Sequence, residues 1–334
     1  MTTLDAAAAT APARDEARPG SPAIAVVVLT WNSRADTLGC LQRIAPQLTQ
    51  ADLLVVADNG SEDGTEAAVR AAHPEAIVVQ NGENLGFAGG VNAGLRVALS
   101  RGATWCLVLN ADTEPPADFL ACLRLAAAAA PPQVAALQPL LVAADDPDRI
   151  DSAGLAPRAL PGAHDRFAGE PARAVAGSPR PIFGACGAAA LLRSAALAEV
   201  GLYDDELFVL FEDVDLAFRL RSRGHEALLL PDLLLPHRRG VSAAAGRKAS
   251  VARARRRTWV QRNTIALALR HWPLHRVLLG LPVLAVRAIE ALFLARTHAP
   301  KTCLPLWRRA LAERSALRAG LRRAGADAWL GRDR

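Results

Sequence analysis

Residues 24–59 read IAVVVLTWNSRADTLGCLQRIAPQLTQADLLVVADN. Ile24–Leu29 is a continuous run of apolar, mostly β-branched residues of strand length, the pattern expected of a strand covered on both faces. A short polar turn, Thr30–Ser33, leads into a helical pattern through Leu48, and Leu53–Ala57 is a second strand ending at Asp58 and Asn59. Strand, helix, strand at this spacing is the unit of a parallel sheet with crossover helices.

The pattern repeats outward from this unit. Ile77–Gln80 is a third strand, followed by a glycine-rich turn and a helix to Leu99, and Trp105–Leu109 is a fourth, ending at Asn110-Ala111-Asp112. In open sheets of this class ligands bind outside the carboxyl ends of the strands. Thr30, Asp58, the turn 84–94 and Asp112 all fall at those ends. Residues 145–180 are rich in Pro, Gly, Ala and Arg without periodicity and read as a long excursion over the acceptor side. Apolar character returns at Phe183–Arg193, and a helix beginning at Glu212 and Asp213 carries Leu216 and Leu220 on one face, with Asp215 and Arg219 spaced to pair on the exposed one.

Composition bounds the rest. With 334 residues and 51% hydrophobic content the chain has an ample core. Residues 1–22, Ala- and Pro-rich with Asp5, Asp15 and Glu16, lack the basic start and apolar stretch of a secretory signal and read as a disordered tail. The five cysteines are scattered, with no Cys-x-x-Cys pair, and read as thiols of a reducing, cytoplasmic compartment. The net charge of +6 hides an asymmetry: Arg238–Arg334 hold 22 Lys and Arg against 4 Asp and Glu, a net +18, so the first 237 residues carry −12. A basic, helical C-terminal extension over 241–334 is therefore expected, facing polyanions such as anionic lipid or pyrophosphate. Its longest uncharged apolar run, Val277–Val286, is too short to span a bilayer and fits an interfacial helix better, with a plain packing helix as the alternative.

Several clusters carry chemistry. Asp58 at a strand end suits hydrogen bonding to a base or ribose, although Asp in Asp-Asn-Gly-Ser is more often a turn former. The glycines of Asn84–Gly94 allow close approach of backbone to a ligand, but lack the Gly-x-Gly-x-x-Gly spacing of a dinucleotide site. Asn110 and Asp112 place two oxygen-bearing side chains where one hard cation, Mg²⁺ or Mn²⁺, could bridge phosphates. Glu212 and Asp213 at a helix start are candidates for a general base. His237 closes ALLLPDLLLPH and is a candidate metal or diphosphate ligand.

In this order LTWN, VVADNGSEDGT, NLGFAGGVNAG, LVLNADT, FGACGAAALLR, GLYDDELFVLFEDVDLAFRLRSRG, PHRRG and QRN resemble glycosyltransferase family 2, rhamnosyltransferase-like members, over roughly residues 24–270. The resemblance implies an α/β GT-A fold: a Rossmann-like, mostly parallel sheet flanked by helices, with a catalytic domain over 23–240 split into a nucleotide-sugar half (23–115) and an acceptor half (116–240). It implies inverting transfer of a sugar to a hydroxyl of a glycan or polyprenyl-linked envelope acceptor. Thr30, Asn32, Asp58, Asn84, Gly86, Gly89, Asn110 and Asp112 fall to the donor, Asp112 and His237 to the metal, and Asp213 with Glu212 to catalysis. Because the family's Asp-x-Asp element begins here with Asn110, one anionic ligand is absent. dTDP-rhamnose is the first donor to test, and nucleic acid is not an expected partner. Two rivals are a nucleotide-binding oxidoreductase, which would need glycines after the first strand where LTWNSR has none, and a non-catalytic binder of anionic surfaces, which would not need the acidic cluster at 212–215. A peripheral position on the inner face of the cell membrane is expected of the basic extension.

Overall fold

A computed structural model describes residues 23–239, 247–298 and 300–332; the expected N-terminal tail, residues 1–22, lies outside them. In chain order the strands and helices are β1 (Ile24–Thr30), α1 (Arg34–Ile44), β2 (Leu53–Asp58), α2 (Thr65–Ala72), β3 (Ile77–Gln80), α3 (Gly86–Ser100), β4 (Trp105–Asn110), α4 (Phe119–Ala129) and β5 (Val134–Ala143). They continue with β6 (Asp146–Ser152), β7 (Leu155–Pro157), β8 (Ala163–Asp165), β9 (Arg180–Ile182), β10 (Ala189–Arg193), α5 (Ser194–Val200), α6 (Glu212–Ser222) and β11 (Glu226–His237). Four helices close the chain: α7 (Arg247–His271), α8 (Leu274–Leu279), α9 (Leu281–His298) and α10 (Pro300–Arg323).

The main sheet runs β3-β2-β1-β4-β10-β5-β11-β9, with β6 on β5. The first four strands are parallel, as are β5 and β11, while β10 lies antiparallel between β4 and β5. Alternation along β1 shows why its sequence is apolar throughout. Ala25 and Val27 face a core with Val91, Leu95 and Leu216, whereas Ile24, Val26 and Val28 face another with Leu41, Ile44, Phe119 and Leu123. Fully burying such side chains stabilises the fold by about 1.5–3 kcal/mol each, so both faces have to be covered.

Three expectations change. The first helix ends at Ile44, because Pro46 cannot continue an α-helix and the chain tightens into a single 3₁₀ turn. Residues 145–180 are not one irregular excursion: β6 extends the sheet beside β5, and β7 and β8 form a separate hairpin. Asp215 and Arg219 do pair, at 2.8 Å, but Asp215 is fully buried, where it also meets Arg270 and His271 of α7 at 2.6 and 2.7 Å. The expected C-terminal helices are present, and they pack against the body. Ile265 and Leu267 of α7, Trp272 just after it and Leu321 of α10 share one core with Val214, Ala217 and Phe218 of α6.

Candidate active site

Two cavities open at the carboxyl edge of the sheet. The first, about 1110 Å³, is lined by Leu29, Trp31, Asn32, Asp36, Asp63, Asn110, Asp112 and Arg238 among others. The second, about 730 Å³, is lined by Phe87, Asn110, Asp151, Asp165, Gly187, Glu212, Asp213, His237, Arg239 and Arg256 among others. Asn110 lies on both walls. Asp112 on the first side and His237 on the second touch, Oδ1 to Nε2 at 3.1 Å, so the cavities meet at a polar saddle.

The saddle is built from strand ends. β4 delivers Asn110 and, just beyond its end, Asp112; β11 delivers His237, which is bridged to Thr113. The other ring nitrogen of His237, Nδ1, lies 2.8 Å from Asp151. Burial would lower the His237 pKa, but its hydrogen bonds with Asp112 and Asp151 outweigh burial and push it up to about 9. A carboxylate behind an imidazole is also the arrangement that orients a ligating histidine toward a metal. Among the described residues no group of three or more His, Cys, Asp and Glu is placed to hold a metal ion. At the saddle one carboxylate and one imidazole, Asp112 and His237, are the residues that could hold a divalent cation together with ligands from outside the chain.

Glu212 and Asp213 open α6 behind a strained turn. Phe208, Leu210 and Phe211 all have positive φ (62°, 72° and 73°), a conformation that costs a non-glycine residue about 1–3 kcal/mol and persists only where surroundings impose it. Oδ2 of Asp213 accepts the Gly187 N–H at 3.0 Å and Oδ1 that of Val214 at 2.8 Å. Burial raises the Asp213 pKa to about 6, with the Gly187 hydrogen bond opposing it and Asp165 adding to it. Glu212 is raised well above the carboxylate range by burial and by its charged neighbour, and its Oε2 is buried without a hydrogen bond. Of the two adjacent carboxyls, Glu212 is therefore the harder to ionise and Asp213 the easier.

The remaining predicted residues do not meet at the cavities, Asn32 excepted. Thr30 is buried in a hydroxyl cluster, 2.7 Å from Thr37 and 3.1 Å from Ser33. Asp58, fully buried, accepts from the Ser61 N–H and the Gln80 amide, the turn-forming role. Asn32 lines the first cavity, where its Oδ1 accepts the Glu62 N–H. Asn84 accepts the Gly86 N–H at 2.8 Å. The glycines of this turn, expected to let backbone approach a ligand, are closely packed. A Cβ on Gly86 would lie 2.3 Å from the Phe208 carbonyl, one on Gly89 would meet Leu85 at 2.9 Å, and neither residue lines these cavities. Trp31, Asp151, Asp165 and Arg239 line the cavities without having been singled out in the sequence; Trp31 lies inside LTWN and Arg239 inside PHRRG, while the two aspartates stand in no recognised motif.

The family model for glycosyl transferase family 2 matches residues 25–201. The N-acetylglucosaminyl-diphospho-decaprenol L-rhamnosyltransferase of Mycobacterium tuberculosis is 28% identical over 234 residues, 62% of this chain and 73% of the relative. Galactofuranosyltransferase GlfT1 of Mycolicibacterium smegmatis is 28% identical over 220 residues, 60% and 66% of the two chains. Among solved structures, the mannosyltransferase PcManGT of Pyrobaculum calidifontis, in complex with GDP-Man and Mn²⁺, aligns over 94% of this chain and 90% of its own with TM-score 0.53 and 22% identity. GalNAc-T7 with UDP, GalNAc and Mn²⁺ aligns over 84% of this chain and 57% of its own with TM-score 0.59 and 12% identity. Both structures share the fold. With a family match over more than half of its length and the motifs gathered at one sheet edge, the chain belongs to glycosyltransferase family 2 and is a sugar-transferring enzyme of GT-A fold.

Proposed function

We propose that the chain transfers L-rhamnose, with inversion, from dTDP-rhamnose to a hydroxyl of a polyprenyl-diphosphate-linked envelope glycan at the inner face of the cell membrane. The observation that carries this reading is the saddle: two cavities joined at Asn110, Asp112 and His237, with an ionisable Asp213 on the far side. The nucleotide belongs in the larger cavity, where the half-exposed Trp31 offers a face to a base and Asn32 a polar edge. Thr30 and Asp58 support the donor side from behind, through the contacts described above, whereas Asn84, Gly86 and Gly89 shape the turn that packs against Phe208. The diphosphate belongs at Asp112 and His237, and Mg²⁺ or Mn²⁺ held there would supply charge neutralisation of the leaving group.

The acceptor belongs in the second cavity. Asp213, its carboxylate held by the N–H groups of Gly187 and Val214, takes the acceptor hydroxyl proton as the oxygen attacks the anomeric carbon opposite the departing diphosphate. A single carboxylate base and direct displacement invert the configuration. Arg239 and Arg256 on the wall suit a diphosphate on the acceptor, and the decaprenol-linked substrate in the rhamnosyltransferase relative's name supports that choice. The rhamnosyl donor rests on the same relative and on the motif resemblance.

The test is a panel of nucleotide sugars scored by thermal shift and by release of nucleoside diphosphate, with the product's anomeric configuration read by NMR. Ligand binding to the native state raises the melting temperature. dTDP-rhamnose should give the largest response; consumption of a UDP- or GDP-sugar in its place, or a retained configuration, overturns the assignment.

A further inference from the structure

The turn that precedes Asp213 is gripped from both sides. On one side the N–H of Ala88 donates to the Phe208 carbonyl at 3.1 Å, and Gly86 leaves room for the Phe208 ring. On the other side stands α7. Trp259 stacks on Phe208 with ring centroids 4.8 Å apart, and the Arg262 guanidinium lies 4.4 Å over the Trp259 ring. Next to them Asn263, wholly buried, points its side-chain amide at the turn. Its Nδ2 donates toward the carbonyls of Leu207, Val209 and Leu210 at 2.9, 3.0 and 2.8 Å. The orientation of that amide is fixed, because Arg262 Nε donates to Oδ1 at 3.0 Å.

These three carbonyls belong to the strained stretch itself. Leu210 and Phe211 hold left-handed backbone, and Val209, Leu210 and Phe211 line the acceptor cavity just before Glu212 and Asp213. The Leu207 carbonyl also accepts the Val209 N–H at 2.7 Å, whereas the carbonyls of Val209 and Leu210 lie outside the ladders of regular structure and depend on the Asn263 amide. An amide donor is required there: a carboxylate would set acceptor against acceptor, and an apolar side chain of equal size would offer none.

We propose that Asn263 is a positioning residue for transfer, the clasp that holds the 207–211 turn in its left-handed form and so sets where the Asp213 carboxylate stands in the acceptor cavity. The inference rests on the reading of Asp213 as the base. It gives the C-terminal helix α7, far from the catalytic motifs in sequence, a direct part in the geometry of the reaction.

The experiment uses the full-length chain and release of nucleoside diphosphate from whichever nucleotide sugar the wild type consumes fastest. Asn263→Leu and Asn263→Asp should lower kcat about a hundredfold, the scale of an ångström misplacement, with donor KM within about twofold because the donor cavity is untouched. Backbone hydrogen exchange should rise in 207–213 and stay unchanged in 24–30. Adding Leu210→Gly to Asn263→Leu should recover about tenfold, measured against Leu210→Gly alone, since glycine adopts positive φ without strain. A residue that merely packs would not be rescued in this way. Asn263→Ser, which keeps one donor, is read identically if the larger changes prevent folding. Folded variants with kcat within about threefold of wild type, or unchanged exchange in the turn, overturn the clasp. Wild-type turnover by Asp213→Asn would instead overturn the base, and the exchange result then decides the clasp by itself.

Discussion

At the scale of single residues, the division between Glu212 and Asp213 is the sharpest chemical feature. A base must be ionised to act, and Asp213 is held near a pKa of about 6 by burial. The rate should therefore rise as pH increases through about 6 and level off above it, which a kcat/KM profile against pH reads directly. Asp213→Asn should keep nucleotide binding and lose turnover by about three orders of magnitude, with no acidic limb left to measure. At the saddle, Asp112 and His237 as the proposed partial ligands predict that Mn²⁺ and a nucleoside diphosphate stabilise the fold together far more than either alone. Asp112→Asn and His237→Ala should abolish that synergy in thermal-shift titrations; full activity of the wild type after EDTA treatment would sink the cation reading.

At the scale of elements, α3 shows what its glycines do. A Cβ at Gly94 would stand 2.4 Å from Cγ1 of Val27, in the middle of β1. Gly94→Ala gains about 1 kcal/mol in helix propensity, yet overpacking at a stiff, buried valine costs about 1–3 kcal/mol. A lowered denaturation midpoint in urea is expected, and an unchanged or raised one would show that the helix shifts freely. The limits of sequence reading are also plainest among the elements. The first four strands are legible because each is an unbroken apolar run flanked by polar turns. β5 is not, since Gln138 and Pro139 interrupt it, and the antiparallel insertion of β10 between β4 and β5 depends on pairing between distant segments. The site divides along the same line. Asp112, Asp213 and His237 sit at the ends of regular elements and can be read; Asp151, Asp165 and Arg239 come from short strands and a turn without periodicity. Asn263 is visible only as a letter in QRN, because its partners are backbone carbonyls, which no side-chain pattern reports.

At the scale of the whole molecule, the charge asymmetry has two destinations. Part of the basic excess is internal: Arg262, Arg270 and Arg318 are nearly inaccessible, and Arg270 joins Asp204 and Asp215 in the buried network under α6. His271 shares that network, and burial, only partly opposed by Asp215, lowers its pKa from 6.5 to about 4. The folded chain keeps it neutral while the unfolded chain takes up a proton, so stability should be full above about pH 6.5 and decline as pH falls toward 4. A melting temperature flat across that interval would contradict the neutral, buried state. The other destination is outward. Leu274, Leu278, Leu279, Leu281, Val283, Val286 and Ile289 of α8 and α9 are each at least half exposed, and among the described residues no helix is long and apolar enough to cross a membrane. Such a strip beside cationic helices suits the surface of an anionic bilayer. The full-length chain should float with anionic phospholipid vesicles at low salt, and Leu278→Glu with Val286→Glu should not; a wild type left at the bottom of the gradient would refute peripheral attachment.

The two cavities share only a narrow saddle, and each has room of its own. On the proposed assignment, donor and acceptor have separate room to occupy the protein at the same time, and no side chain needs to carry the sugar between them. In kinetic terms that reading expects a ternary complex: double-reciprocal plots at varied donor and acceptor concentrations should intersect rather than run parallel.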